Sequence, residues 1–354
     1  MNNIFIHIGP PKSGTSAIQK WLSENRQFLV ENNIYYPEHT TDENGVSSGN
    51  LLTIFSRSED DFVVDKKKCK SLLEEFSRSG ATRLLLSSEF FFKRAEQLSD
   101  VFPEATFIGY LRFPLEVAES SYNQGVKRHA QIHAFGLPNT PRAYQLEILD
   151  SLIKKVGREH FILRPYHEEC FEGGNLVADF LTNFDIVVND IEPRKINPSY
   201  TLEGLEFKRW FNQLNLDSVQ SDMDRFLQSE QSGTTNYSLI PPSVFKIFKS
   251  AFVEQMTLFC NSHQVTNREH FLQLCNELIQ KPKVHQSISN DEFQAMLEKF
   301  LELPGIQKKM LTAYEREWKY QSIERYPERL DIVANALPLS KKLVHRLRDI
   351  LNKA

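Results

Sequence analysis

The segment Gly9-Pro10-Pro11-Lys12-Ser13-Gly14-Thr15-Ser16 constrains this chain more than any other. Two glycines and two prolines so close together exclude regular helix or strand. The residues before it, Ile4-Phe5-Ile6-His7-Ile8, form a compact apolar run that reads as a buried strand. The residues after it, from Thr15 to about Glu31, carry Ile18, Trp21, Leu22, Phe28 and Leu29 at helical spacing, with Thr15 and Ser16 suited to cap the helix. A strand that passes through such a loop into a helix start brings backbone N–H groups and the positive end of the helix dipole together. The result is an anion site, with Lys12 inside it. The plainer alternative is a Gly/Pro turn opening an ordinary helix.

The alternation continues along the first half. Thr82 to Ser87 reads as a second buried strand, Thr106 to Leu111 as a third, and His160 to Leu163 as a fourth, closed by Arg164-Pro165. Amphipathic stretches such as Lys66 to Arg78 and Leu115 to Lys127 lie between them. This order predicts an α/β fold of three layers, a central parallel sheet with helices on both faces. Asp42 to Gly49 reads as a surface loop, and Asn123 to Thr140, rich in His and Lys/Arg, as a mobile loop after a helix. From about Thr201 the strand-like runs nearly vanish. Leu202 to Leu214, Ser243 to Asn261, Asp291 to Leu301 and Gln307 to Trp318 carry helical periodicity instead. The expected organisation is an α/β core over residues 1–200 and a largely α-helical C-terminal half over 201–354. That half is either a layer packed on the core or a subdomain of its own.

Composition removes several function classes. Lys and Arg total 42 against 46 Asp and Glu, a formal charge of -4, so the positive excess of a nucleic-acid binder is missing and no such partner is expected. Local basic clusters remain: Lys66-Lys67-Lys68 with Lys70, and Lys127-Arg128-His129. They suit an acidic acceptor such as a polysaccharide, or are solvated charged faces. No run reaches the roughly 18 consecutive apolar residues of a transmembrane helix, and the N-terminus lacks the basic and long apolar regions of a signal peptide. The expected location is therefore cytoplasmic. Cys69, Cys170, Cys260 and Cys275, scattered with no CxxC, are expected as reduced thiols. His129 and His133 share an i,i+4 spacing but have no evident third ligand, so no metal is expected.

Gly9 and Gly14 have the spacing of the two glycines in a nucleotide triphosphatase P-loop. There the lysine directly follows the second glycine; here Lys12 lies inside the loop and Thr15 follows. Such enzymes also need a Mg²⁺-binding hydroxyl and usually a strand-end Asp. The second strand here ends Ser87-Ser88-Glu89. The loop therefore suits a phosphate-type anion without an obligatory metal. A second anion candidate follows the third strand, in Tyr110-Leu111-Arg112-Phe113-Pro114 and Ser120-Ser121-Tyr122. A strand-end arginine offers a rigid fork of donors to a phosphate. Ser120, about two helical turns further on, completes the site where the helix runs back past the strand end. Taken alone, the pair also reads as a surface arginine and a helix serine.

Together these two blocks resemble the sulfotransferases that use 3′-phosphoadenosine 5′-phosphosulfate (PAPS). Pro11-Lys12-Ser13-Gly14-Thr15-Ser16 is similar to their 5′-phosphosulfate loop, and Arg112 with Ser120 has the spacing of their 3′-phosphate segment. The texture is closest to bacterial sulfotransferase-like proteins, over about residues 1–170. Asn197-Pro198-Ser199 sits where relatives often carry an Asn-x-Ser step, whereas their Arg-Lys-Gly loop is not evident. The resemblance implies a P-loop-type fold and sulfuryl transfer from PAPS to a hydroxyl or amine, leaving 3′-phosphoadenosine 5′-phosphate (PAP), with no metal. The acceptor it implies is a carbohydrate or a small metabolite.

The roles follow from that resemblance. Lys12 is the cation for the leaving group, and the amides of Ser13, Gly14, Thr15 and Ser16 hold the 5′-phosphate. Glu89, at the carboxyl edge of the sheet, is the first candidate for the base, with a helix N-cap or surface role as its alternative. His7 is the second, with a satisfied core histidine as its alternative. Phe90-Phe91-Phe92 either line an acceptor pocket or pack under the sheet. Two other classes compete: a P-loop kinase or nucleotidase using Mg·ATP, and an inactive sulfotransferase-fold binding module.

Overall fold

The computed structural model describes residues 3–39, 47–59, 61–188 and 199–337. Among these, seven strands occur: β1 (Asn3–His7), β2 (Ile34–Tyr35), β3 (Phe55–Arg57), β4 (Phe62–Val64), β5 (Arg83–Ser87), β6 (Thr106–Leu111) and β7 (Phe161–Pro165). Five form one sheet in the order β2-β5-β1-β6-β7, parallel throughout, while β3 and β4 pair as an antiparallel hairpin. The four strands expected from the apolar runs are β1, β5, β6 and β7. The short β2 and the hairpin had no comparable apolar run.

The register explains why the site lies at one edge. His7 pairs with Ser87 on one side and Ile108 on the other, and Tyr110 pairs with Arg164. The carboxyl ends of β1, β5, β6 and β7 therefore open together, where α/β sheets bind ligands. After β5 the chain crosses β1 and adds β6 and β7 on its far side. Both sheet faces are apolar, as a sheet covered by helices on both sides requires. One face packs Leu85, Ile108 and Tyr110 against Ile18 and Leu22 of helix α1 (Thr15–Glu24) and against Phe180 and Leu181 of the Leu176–Leu181 helix. The alternate residues Ile4, Ile6, Leu84, Leu86 and Phe107 point the other way and are equally buried.

The periodicity predicted one helix from Thr15 to Glu31, but the structure has two. Helix α1 stops at Asn25, which leaves helical geometry at φ -117°, and a second helix covers Arg26–Glu31. The Asn25 side chain donates to the Trp21 carbonyl at 2.8 Å, and such local bonds compete with helix propagation. The Asn123–Thr140 segment is helical as far as Arg128, the end of the Pro114–Arg128 helix. Residues 40–46, and Asn197 and Pro198 of the Asn-Pro-Ser step, lie outside the described residues.

The chain forms two compact units. The first comprises Met1–Val117, Pro138–Ile196 and Ser243–Ile279. The second comprises Ala118–Leu137, Asn197–Pro242 and Gln280–Ala354. Among the described residues the second unit is built from helices, including Leu202–Phe211, Gln220–Ser229, Asn290–Leu301 and Ile306–Arg316. Its core is aromatic: Phe293 stacks on Phe211 at 5.8 Å and meets Trp210 edge-on at 4.9 Å, and Trp318 packs on Phe211 at 6.0 Å. The side chains of Glu206 and Arg209 pair within this apolar setting.

Candidate active site

The loop between β1 and α1 turns through three left-handed residues: Gly9 at φ 34°, Lys12 at φ 69° and Gly14 at φ 80°. The two glycines are there for space as well as conformation. A Cβ on Gly9 would lie 2.0 Å from Thr15 Oγ1, and one on Gly14 would lie 2.2 Å from Leu176 Cδ2 and 2.8 Å from Tyr166 Cε2. Lys12 has no such dispensation. A left-handed lysine costs about 1–2 kcal/mol, so its surroundings must hold it there.

The loop is braced from within and from without. The Ser13 hydroxyl donates to the Pro10 carbonyl at 2.5 Å, and the Ser13 N–H donates to the same oxygen at 3.2 Å. Ser13 is buried, so this residue closes the turn, whereas the Gly14, Thr15 and Ser16 amides belong to the open first turn of α1. From outside, Arg112 Nη1 donates to the Lys12 carbonyl at 2.9 Å, and Gln145 Nε2 donates to the Pro11 carbonyl at 2.8 Å.

Arg112 follows β6 directly, so the register of the sheet delivers it to the loop after β1. Its guanidinium lies 5.0 Å from the centre of the Tyr166 ring, a cation–π contact. Tyr166 follows β7, and its N–H donates to the Leu111 carbonyl at 2.6 Å. Three neighbouring strand ends thus converge on one loop. Ser120 is half-buried in the Pro114–Arg128 helix, on its stretch in the second unit.

Two polar atoms here are buried without a hydrogen-bond partner among the described residues: Thr15 Oγ1 and Arg112 Nε. Arg112 Nε lies 3.7 Å from Glu116 Oε2, beyond hydrogen-bond range. Orphaned groups of this kind cost roughly 1–3 kcal/mol each, a cost a ligand oxygen removes. Ser16 is exposed at the start of α1. The donors present, amides, a hydroxyl, a lysine and an arginine, fit an anion bearing several oxygens.

Glu89 opens a short 3₁₀ turn, Glu89–Arg94, just beyond β5. Ser88 fixes its start: the Ser88 N–H donates to the His7 carbonyl at 3.1 Å, and its hydroxyl donates to the Ser48 carbonyl at 2.6 Å and accepts the Phe90 N–H. Burial raises the Glu89 pKa above the usual carboxylate value, and the nearby charge of Lys12 pulls it partly back. Lys12 shifts the opposite way. Burial lowers its pKa, Glu89 raises it, and Arg112 lowers it. The cation of the loop and the carboxylate past β5 therefore share one electrostatic environment. Of the three phenylalanines that follow, Phe91 and Phe92 are buried in packing, while Phe90 is exposed and meets Phe62 of the hairpin edge-on at 6.2 Å.

His7 is sealed inside the first unit. Its Nδ1 is 2.8 Å from Ser87 Oγ, and its ring lies 5.1 Å from that of Phe180 and 6.3 Å from that of Tyr110. Burial pushes its pKa down to about 3, so the ring is neutral. The ring is fully buried, and its Nε2 has no hydrogen-bond partner among the described residues, so it is not the fully satisfied core histidine that the alternative reading expects. The helix preceding His129 and His133 ends at Arg128, so their spacing is not that of a helix face. Among the described residues no group of three or more metal-ligating side chains occurs, and no helix is long and apolar enough to cross a membrane.

Gln145 and Tyr166 carried no sequence signal comparable to the glycine loop. Tyr166 stands just past a strand end, where such residues reach the ligand edge. Gln145 is the second residue of the helix Tyr144–Val156, and nothing local distinguishes it.

No known protein family matches the sequence, and no curated protein matches it. Among solved structures, a sulfotransferase from Alicyclobacillus acidocaldarius is similar at 16% identity and a TM-score of 0.39, covering 77% of this chain and 99% of that one. Neither the fold nor the site described above depends on so loose a likeness.

Proposed function

We propose that this protein is a sulfotransferase that moves a sulfuryl group from PAPS to a hydroxyl or amine acceptor. The observation that carries the reading is the shared environment of Lys12, on a glycine-bounded loop gripped by Arg112, and Glu89, in the turn just beyond β5. A cation and a base held at one sheet edge, beside open helix-start amides, are what in-line sulfuryl transfer needs.

The acceptor oxygen attacks sulfur as the bond from sulfur to the bridging oxygen of the 5′-phosphate breaks. The acceptor proton passes to Glu89, and PAP departs. Negative charge builds on the bridging oxygen, where Lys12 offsets it, while the Gly14, Thr15 and Ser16 amides and the Thr15 hydroxyl hold the 5′-phosphate. Arg112 and Ser120 are assigned to the 3′-phosphate on their spacing. The raised pKa of Glu89 brings its proton affinity toward that of a working base at neutral pH. The exposed Phe90, next to the base, supports a carbohydrate or a small metabolite with an apolar face as acceptor.

The test is transfer of labelled sulfuryl from PAPS to a panel of glycans, alcohols and amines. The wild type is expected to label at least one acceptor class, and Lys12→Ala to slow transfer by roughly 10²–10³-fold, the usual loss for one preorganised charge-stabilising group. Equal rates for the two proteins would remove Lys12 from the chemistry.

A further inference from the structure

Two side chains grip the loop at adjacent points. Gln145 holds the Pro11 carbonyl at 2.8 Å and Arg112 holds the Lys12 carbonyl at 2.9 Å. These carbonyls belong to the two peptide planes that flank the Lys12 Cα. Each plane is rigid, and no cis peptide occurs among the described residues. Anchoring both planes therefore fixes φ and ψ of Lys12, the only soft angles between them. The conformation so fixed is the left-handed one, φ 69°, which a lysine does not adopt without support. The Cβ direction follows from the backbone, so the grip also sets the direction in which the Lys12 side chain leaves the loop.

Gln145 is itself anchored. Gln255 accepts the Ala143 N–H at 2.8 Å and donates to the Pro141 carbonyl at 3.1 Å, which fixes the start of the helix that carries Gln145. We infer that Gln145 is a positioning residue: it holds the peptide plane before Lys12 and so keeps the lysine aimed at the reacting oxygen. This rests on the proposed role of Lys12. It also divides the work between the two donors. When the Arg112 guanidinium turns to a ligand phosphate, Gln145 is the grip that remains.

The test compares Gln145→Leu, which keeps bulk without a donor, with Gln145→Lys, which keeps an N–H donor. Hydrogen exchange of residues 9–17 is measured in the ligand-free proteins, and steady-state kinetics are measured with PAPS. Gln145→Leu is expected to speed loop exchange roughly two- to tenfold, the worth of one net hydrogen bond, with the urea midpoint unchanged. Its kcat is expected to fall roughly tenfold while KM for PAPS moves less than about threefold, and Gln145→Lys is expected to restore both readouts. If the leucine variant does not fold, Gln145→Glu, isosteric with a carboxylate facing the carbonyl, must loosen the loop instead. Unchanged loop exchange in a folded donor-less variant overturns the inference. So does faster exchange with unchanged kcat, which would make Gln145 a brace without influence on Lys12. If the wild type transfers no sulfuryl group at all, the proposed function fails, and loop exchange still decides whether Gln145 holds the loop.

Discussion

Lys12 and Glu89 shift toward each other in proton affinity because both lose water, and the attraction between their charges only partly offsets this. The active form needs Lys12 protonated and Glu89 ionised. The acid limb of the kcat/KM profile, which reports the free enzyme, should therefore lie above the ordinary 4.5 of a glutamate, and the alkaline limb below the ordinary 10.5 of a lysine. Glu89→Gln is expected to abolish the acid limb and lower kcat by about 10²–10⁴-fold, with PAP affinity nearly intact. A retained acid limb in that variant would move the base elsewhere. At the same scale, Arg112→Ala is expected to weaken PAP binding by about 1.5–3 kcal/mol, the range for hydrogen bonds to charged groups, as read by calorimetry. An unchanged dissociation constant would reject its phosphate role. Lys12, Glu89 and Arg112 were legible as candidates because each stands where a β-like run ends. Gln145 was not, since its hydrogen bond to Pro11 crosses 134 positions and leaves no local trace.

Among elements, the strand–loop–helix unit β1–α1 carries the most specific demands. Gly14 combines φ 80° with neighbours that leave no room for a Cβ, whereas Gly80, at φ 74°, has nothing within 4 Å. Gly80→Ala bears only the conformational cost, about 1 kcal/mol. Gly14→Ala adds overlap with Leu176 and Tyr166 and is expected to cost about 2–4 kcal/mol in all, measured by urea denaturation. Equal losses would mean that Leu176 and Tyr166 yield freely and that the loop is not tightly seated. The four principal sheet strands could be read from sequence because parallel strands buried on both faces appear as unbroken apolar runs. The two-residue β2 and the hairpin are too short for any period to show. The break at Asn25 was hidden because apolar spacing continues across it into the Arg26–Glu31 helix.

In the whole molecule, two compact units are woven from one chain, and the change of texture expected near residue 200 lies close to one of their crossings, at Ile196–Asn197. Other crossings fall at Val117–Ala118, inside the Pro114–Arg128 helix, and at Pro242–Ser243, where another helix begins. Helical periodicity runs through the first, so nothing in the sequence marks it, whereas Pro241-Pro242 stands at the second. Acid stability is a property of the first unit's core. His7 is buried neutral with its pKa near 3 instead of 6.5, so between these values the unfolded chain binds a proton that the folded one refuses. Stability from this group is therefore full above 6.5 and falls as pH drops toward 3, by about 2–3 kcal/mol between pH 7 and 4.5. Urea midpoints at the two pH values should differ less for His7→Gln than for the wild type. The same slope in both would mean that His7 is not a source of acid sensitivity.

Calorimetric titration with PAP, run beside a titration with Mg·ATP, bears most directly on the nucleotide reading. PAP should bind at one site per chain without added metal and more weakly to Lys12→Ala, with little heat from Mg·ATP. Clear binding of Mg·ATP and none of PAP would contradict the account at its root.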